Sequence, residues 1–119
     1  MSKILSSARV AYLGPEGTYS HAALEKYFGS RQPCLAVDDI PGVFNAVDSD
    51  QADFGLVPVE NSSEGSVTQT LDCFGAFDSI ICGEVMLRIQ HCLLALPGTL
   101  AENISRVVSH QQSLGQCRY

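Results

Sequence analysis

The sequence predicts an α/β fold built around a parallel β-sheet. Three short apolar runs, at residues 9–13, 34–37 and 52–57, are typical of buried strands. Each run is followed by a turn and then by apolar residues at helical spacing. Strands and helices that alternate along the chain with short turns predict parallel strands joined by right-handed crossovers.

Local signals place the three helices. The first helix is expected after the glycine turn at residues 14–17, and it ends at Gly29, since glycine is common just past a helix C-terminus. Acidic residues 38–39 open the second helix, because negative charge stabilises a helix N-terminus. Pro41 suits the first turn of that helix. Apolar spacing predicts the third helix over residues 67–74.

The second half of the chain is expected to contain extended segments. Residues 85–90 alternate between apolar and polar side chains, and residues 92–96 have the composition of a strand buried on both faces. We expect these segments to pass from one lobe to another, and residues 106–108 to form a strand that leads into a last helix. His91 is expected to be a core histidine, and most of the five cysteines are expected to be packing residues.

Composition excludes several classes of protein. The chain has 119 residues, 45% of them hydrophobic and 17% charged, which is typical of one globular domain. The formal net charge of −6 argues against a nucleic-acid partner, and the longest apolar run, at residues 92–96, is too short to span a membrane. An odd number of cysteines without a C-x-x-C pair, together with a polar start at residues 1–8, predicts a cytoplasmic protein with reduced thiols.

A polar stretch follows the third predicted strand. Pro58 ends that strand because proline cannot donate a ladder hydrogen bond, and Glu60, Asn61 and Ser62 come next. Ligands of open α/β folds bind at the carboxyl edge of the sheet. A helix cap is the alternative explanation, but a cap needs only one polar side chain. We therefore expect a binding site here.

Two other junctions between a predicted strand and a helix carry polar groups. Thr18 and Ser20 lie in the junction at residues 14–20, where either hydroxyl can cap the first helix. Ser109 and Gln116 lie in the junction at residues 109–116, and their spacing of seven residues, two helical turns, predicts that they share one face of the last helix. Hydroxyls and free N–H groups at helix starts suit a small anion. No His, Cys, Asp and Glu residues have the spacing of metal ligands, so we expect no metal. The residues alone therefore indicate a two-lobed α/β domain that binds a small organic anion.

Two segments closely resemble signature segments of prephenate dehydratase: residues 10–20 (VAYLGPEGTYS) and residues 57–62 (VPVENS). Shorter matches follow at residues 83–84, 91–94, 108–110 and 116–117. The resemblance implies the type II periplasmic-binding-protein-like fold, with two α/β lobes and the active site in the cleft between them. It also implies a cytoplasmic lyase without a cofactor, which converts prephenate to phenylpyruvate in phenylalanine biosynthesis.

The resemblance also assigns residues and lobes. It implies that Glu60, Asn61, Ser109 and Gln116 are active-site residues, with substrate contacts at Thr18, Ser20 and Ser62. Residues 1–8 are then an N-terminal extension, residues 9–84 the first lobe, residues 85–96 a crossover strand and residues 97–119 the start of a truncated second lobe. Glu60 is either an orienting group or a proton donor, and the sequence leaves both roles open.

The sequence also departs from the pattern of that family. The Thr-Arg-Phe motif, the regulatory ACT domain and a chorismate mutase segment are all absent from it. We therefore expect an inactive front part of a dehydratase, and we expect it to associate as a homodimer or higher homo-oligomer. Arogenate dehydratase is an alternative function within the same resemblance. A non-catalytic module of the same fold that binds a small anion or amino acid is another.

Overall fold

The computed structural model describes residues 7–62 and 65–117, apart from the side chains of residues 112 and 116. The chain divides into two units, Met1–Leu87 and Arg88–Tyr119. The first unit contains all the strands found in the described residues.

A three-stranded parallel sheet forms the centre of the first unit. Strands β1 (Val10–Leu13), β2 (Cys34–Val37) and β3 (Phe54–Leu56) lie in the order β2-β1-β3. The parallel α/β arrangement predicted from the sequence is therefore confirmed. Strand β3 is shorter than the predicted range of 52–57.

Strand β1 is buried on both faces by two helices, α1 (Tyr19–Phe28) and α2 (Ile40–Asp48). Successive side chains of a strand point to opposite faces of the sheet. Val10 and Tyr12 accordingly pack with Leu24 of α1, whereas Ala11 packs with Val43 of α2. Val10 and Ala11 are fully buried, and Tyr12 is only 2% exposed. The continuous apolar run of β1 thus reflects its central place between two helical layers.

Helix α3 (Thr68–Ala76) extends the core beyond the sheet. Its Cys73 is buried together with Ile40 and Phe44 of α2. The ring of Phe44 meets that of Phe74 edge to face, with centroids 5.2 Å apart and an interplanar angle of 85°. Aromatic pairs favour this arrangement, so the contact fixes α3 against α2.

A short hairpin precedes α3 where the sequence predicted polar residues running directly into a helix. Strand β4 (Glu60–Asn61) pairs antiparallel with strand β5 (Gly65–Ser66). Gly65 has a φ of 78°, a left-handed conformation that suits glycine. The expectation that these polar residues run directly into a helix is therefore wrong, because Glu60 and Asn61 lie on a two-residue strand.

The extended segments predicted for the second half do not form strands in the described residues. Residues 85–90, 92–96 and 106–108 have no strand structure. A strand is stable only beside another strand that completes its hydrogen bonds, and none lies alongside in the part of the chain that the structure describes. Leu94 and Leu96 are 86% and 82% exposed, so the expectation of a segment buried on both faces is wrong.

The expectations for His91 and for most of the cysteines are also wrong. His91 is exposed instead of buried. All five cysteines are free, and only Cys73 is buried, while Cys34 is half-buried and Cys82, Cys92 and Cys117 are exposed. These three exposed thiols follow residue 77, where the chain has left the core of the first unit.

The second unit contains little regular structure. It has one turn of 3-10 helix at Ala101–Asn103 and the short helix α4 (Gln111–Gln116). None of its described side chains is buried. Among the described residues, no helix has both the length and the apolar character needed to cross a membrane.

Candidate functional site

The candidate site begins where adjacent strands β1 and β3 end. Tyr12 lies opposite Leu56 in the sheet register, so the chain leaves both strands at the same carboxyl edge. Residues 14–18 leave this edge from β1, and the hairpin of β4 and β5 follows β3. The structure therefore brings the segments of Thr18, Ser20, Glu60, Asn61 and Ser62 to one edge of one sheet.

The turn after β1 approaches the neighbouring strand closely. The N–H of Gly14 donates to the carbonyl oxygen of Val37 at 2.8 Å. A Cβ atom added at Gly14 would lie 3.0 Å from the Cβ of Ala36 and 3.3 Å from the Val37 oxygen. Glycine is needed here because a side chain would push the turn away from β2.

Thr18 caps helix α1, as the sequence predicts. Its Oγ1 accepts a hydrogen bond from the N–H of His21 at 3.4 Å and donates to the carbonyl oxygen of Pro15 at 2.9 Å. The hydroxyl proton is therefore used inside the turn, which makes Thr18 a structural cap in this conformation. Ser20 is the second residue of α1 and is half-buried.

The hairpin that carries Glu60 and Asn61 is fastened at its base. The N–H of Val67 donates to the oxygen of Val59 at 2.8 Å, and the Oγ1 of Thr70 donates to the oxygen of Pro58 at 2.6 Å. Thr70 is fully buried. Asn61 is half-buried, whereas Glu60 and Ser62 are exposed. Helix α3 thus fixes the base of the hairpin on which Asn61 lies.

Thr70, whose hydroxyl holds the base of the hairpin, was not predicted from the sequence. It lies three residues after Val67 and four before Phe74, on the inner face of α3. A polar side chain at such a position must find a hydrogen-bond partner, because an unpaired buried hydroxyl is costly. That mismatch between a polar residue and an apolar face is the feature that could have revealed it.

A depression of about 430 Å³ lies beside the turn, lined by Gly14, Pro15, Glu16, Ala36, Val37 and Asp38. Two of these residues, Glu16 and Asp38, carry carboxylates, and both are exposed. Like charges repel, so this depression is poorly suited to an anion. The candidate donor for an anion, the amide of Asn61, lies instead on the hairpin.

The phenol of Tyr12 is buried beneath the turn after β1. Burial raises the pKa of its phenol above the ordinary 10.0, and the neighbouring Cys34 and Glu16 raise it further. The effect arises because ionisation would place a negative charge inside the core. Tyr12 therefore contributes as a neutral ring beneath the turn.

Ser109 and Gln116 belong to the second unit. Helix α4 begins at Gln111, so Ser109 is exposed and lies two residues before the helix. The expectation that Ser109 lies on this helix is therefore wrong. Gln116 is the last residue of α4, and its side chain lies outside the described part of the structure. In the part of the chain that is described, no three His, Cys, Asp or Glu residues are placed to hold a metal ion.

A parallel sheet with polar turns at its carboxyl edge defines the class of α/β domains that bind ligands at that edge. The sequence model of the prephenate dehydratase family matches residues 10–119. The chain therefore belongs to the prephenate dehydratase family, as its resemblance implied.

Two relatives illustrate the range of this similarity. The chain is 52% identical over 113 residues to a bifunctional chorismate mutase/prephenate dehydratase from Pseudomonas aeruginosa, covering 92% of this chain and 30% of that protein. It is 44% identical over 116 residues to the chloroplastic arogenate dehydratase/prephenate dehydratase 6 of Arabidopsis thaliana, covering 96% of this chain and 27% of that protein. The chain thus spans less than a third of the length of these relatives.

A solved structure supports the fold. The X-ray structure of prephenate dehydratase from Streptococcus mutans superposes with a TM-score of 0.52 at 41% sequence identity. The superposition covers 56% of this chain and 34% of that one. The α/β fold of the chain is thus consistent with that of a dehydratase of known structure.

Proposed function

We propose that the chain supplies part of the active site of a prephenate dehydratase, which converts prephenate to phenylpyruvate, water and CO2. The observation that supports this most directly is the place of Asn61. It lies on β4, next to the carboxyl edge of the sheet, and α3 fastens the base of its hairpin through Thr70. The turn after β1 leaves the same edge.

The proposed reaction demands orientation more than acid strength. The electron pair of the bond between the ring and its carboxylate moves into the ring as CO2 leaves. The C4 hydroxyl departs with one added proton as water, and the ring becomes aromatic. A site that holds the dianion with oriented donors and excludes water lowers this barrier. The amide of Asn61 is such a donor, and it needs no change of charge.

Glu60 fits an orienting or structural role better than proton transfer. A carboxyl group that donates a proton near neutral pH needs burial or a neighbouring negative charge to keep that proton. Glu60 is exposed on β4. As an ion it would repel a dianion, so we assign the direct contact to Asn61. Ser20 and Ser62 are proposed as secondary contacts, and Thr18 as the cap that shapes the turn.

Ser109 and Gln116, which belong to the second unit, are proposed as further active-site residues because the family resemblance implies them. None of the described side chains of that unit is buried. A unit without a core cannot hold two donors in a fixed geometry. We therefore propose that the 119-residue chain alone is inactive and that further protein surface covers this unit in a working type II two-lobed enzyme.

Arogenate is the alternative substrate, because relatives of similar identity are named arogenate dehydratases. The chemistry at the ring is the same for both substrates. They differ in the side chain, where arogenate carries an amino group and prephenate a keto group. Assays with each substrate alone distinguish the two activities.

The proposed location is the cytoplasm, since five free cysteines fit a reducing compartment. The proposed assembly is a homodimer or higher homo-oligomer. Large apolar side chains such as Ile80 and Leu94 are 89% and 86% exposed, and such surface favours association.

The test is to supply prephenate and arogenate separately to the native-length gene product that carries this sequence. We expect phenylpyruvate from prephenate, and no product above the acid-catalysed background from the 119-residue chain. Faster formation of phenylalanine from arogenate would establish the alternative substrate. Binding of either compound without turnover would identify a non-catalytic module, and turnover by the 119-residue chain would disprove its proposed inactivity.

A further inference from the structure

His21 connects the turn after β1 to the centre of the sheet. Its Nδ1 atom accepts a hydrogen bond from the N–H of Gly17 at 3.2 Å. Its ring stacks on that of Tyr12, with centroids 5.3 Å apart and an interplanar angle of 20°. Tyr12 is 2% exposed and belongs to the central strand, so one imidazole ties the turn to the buried centre of the sheet.

The hydrogen bond at Gly17 fixes the tautomer of the imidazole. A nitrogen that accepts a hydrogen bond carries no proton, so in the neutral ring the proton is on Nε2. Gly17 has a φ of 85°, a left-handed conformation that suits glycine. The hydrogen bond to His21 therefore restrains the turn at a residue of high conformational freedom.

The backbone of His21 reinforces the same turn. Its N–H donates to the Oγ1 of Thr18, which in turn donates to the oxygen of Pro15. The side chain and backbone of one residue thus hold both Gly17 and Thr18. A helix cap needs only the backbone part of this arrangement. The side-chain bond is an additional restraint on the loop at the carboxyl edge.

We propose that His21, as the Nε2-protonated tautomer, is a positioning residue of the candidate site, which holds the turn after β1 in its ligand-binding shape through the Gly17 N–H. The effect on catalysis rests on the proposed dehydratase function, whereas the tautomer and the restraint on Gly17 do not. A turn held in advance costs less to order when ligand binds.

The tautomer is tested first on the unaltered 119-residue chain. Long-range proton–nitrogen correlation spectra of the chain labelled with nitrogen-15 at histidine distinguish the two ring nitrogens. For the neutral imidazole of His21 we expect an unprotonated Nδ1 and a protonated Nε2. A proton on Nδ1, or rapid averaging between the two tautomers, would overturn the proposal without the use of any variant.

Three variants then separate the effect of the hydrogen-bond acceptor of His21 from the effect of its ring stacking on Tyr12. In His21→Asn the amide oxygen can take the place of Nδ1, whereas His21→Gln places its amide one bond further out. His21→Phe keeps a ring that can stack on Tyr12 but has no acceptor. We expect Gly17 amide exchange to be about fivefold faster in the Gln and Phe variants, the scale of one ordinary hydrogen bond. The Asn variant is expected to stay close to the wild-type rate.

The same variants in the native-length protein report on function. We expect His21→Phe to raise the KM for prephenate about fivefold with kcat changed less than about twofold, and His21→Asn to restore the KM. If the wild-type protein is active and His21→Phe leaves the KM unchanged, the positioning role of His21 is refuted and the proposed function stands. A wild-type protein without dehydratase activity would refute the proposed function, and the spectra would still decide the tautomer.

Discussion

Replacement of Thr70 by valine tests how the hairpin of Glu60 and Asn61 is held. Valine has nearly the shape of threonine, so the change removes the hydroxyl and leaves the fully buried side chain in place. The oxygen of Pro58 then loses the donor that now lies 2.6 Å away. A buried group left without its partner costs about 1–3 kcal/mol. Pro58 is half-buried, so water can reach it in part. We therefore expect Thr70→Val to lower the free energy of unfolding by about 1.5 kcal/mol.

The assay is urea denaturation followed by far-ultraviolet circular dichroism. With a slope of about 1–3 kcal/mol/M, the midpoint should fall by about 0.5–1.5 M in Thr70→Val. Thr70→Ser is the matched control, because it keeps the hydroxyl and loses only a methyl group. Exchange of the Val67 amide, which closes the hairpin on Val59, should accelerate in the valine variant and not in the serine variant. A valine variant as stable as the wild type, with unchanged exchange at Val67, would show that the bond does not hold the hairpin.

Three further predictions concern an alkaline transition, a helix cap and the proposed donor. Because the pKa of Tyr12 is raised above 10.0 in the folded state, the unfolded phenol ionises first and the chain loses stability as pH rises above that value. Urea denaturation at successive pH values should show no such loss of stability in Tyr12→Phe. The control Tyr27→Phe changes an exposed ring and should lose stability as the wild type does. Asp39→Ala should destabilise the chain by about 1 kcal/mol in thermal denaturation, since its carboxylate caps α2, while Asp38→Ala should not. Asn61→Ala in the native-length protein should lower kcat by about 10²-fold in a phenylpyruvate assay, and wild-type turnover would exclude Asn61 as an oriented donor.

The parallel sheet was predictable because its signals are local and repeated. Each strand is a short apolar run, and helices α1 and α2 each have a side-chain cap, Thr18 and Asp39 respectively. The buried run of β1 correctly indicated a strand covered on both faces. Consistent local preferences of this kind specify a fold strongly.

The features that the sequence did not predict depend on contacts between distant residues. The hairpin of β4 and β5 has two residues in each strand, too few for an alternating pattern. The bond from Thr70 to Pro58 joins residues on different elements. Residues 85–96 have the composition of strands, but a strand also needs a neighbour, which composition cannot supply. The interpretation of Ser109 as a residue of the last helix was wrong because helix ends are set by capping within one or two residues.

The sheet order has a consequence for the synthesis of this protein. Strand β1 is made first, yet it is the central strand, and both of its neighbours emerge later from the ribosome. Until Leu56 has been made, at least one edge of β1 stays unpaired, and the nascent chain is open to wrong partners. Strands β2 and β3 do not touch each other in the sheet, so neither can substitute for β1. Shortening the chain into β1 would therefore remove the sheet as a whole, whereas shortening it only as far as Ala8 would leave every strand pair in place.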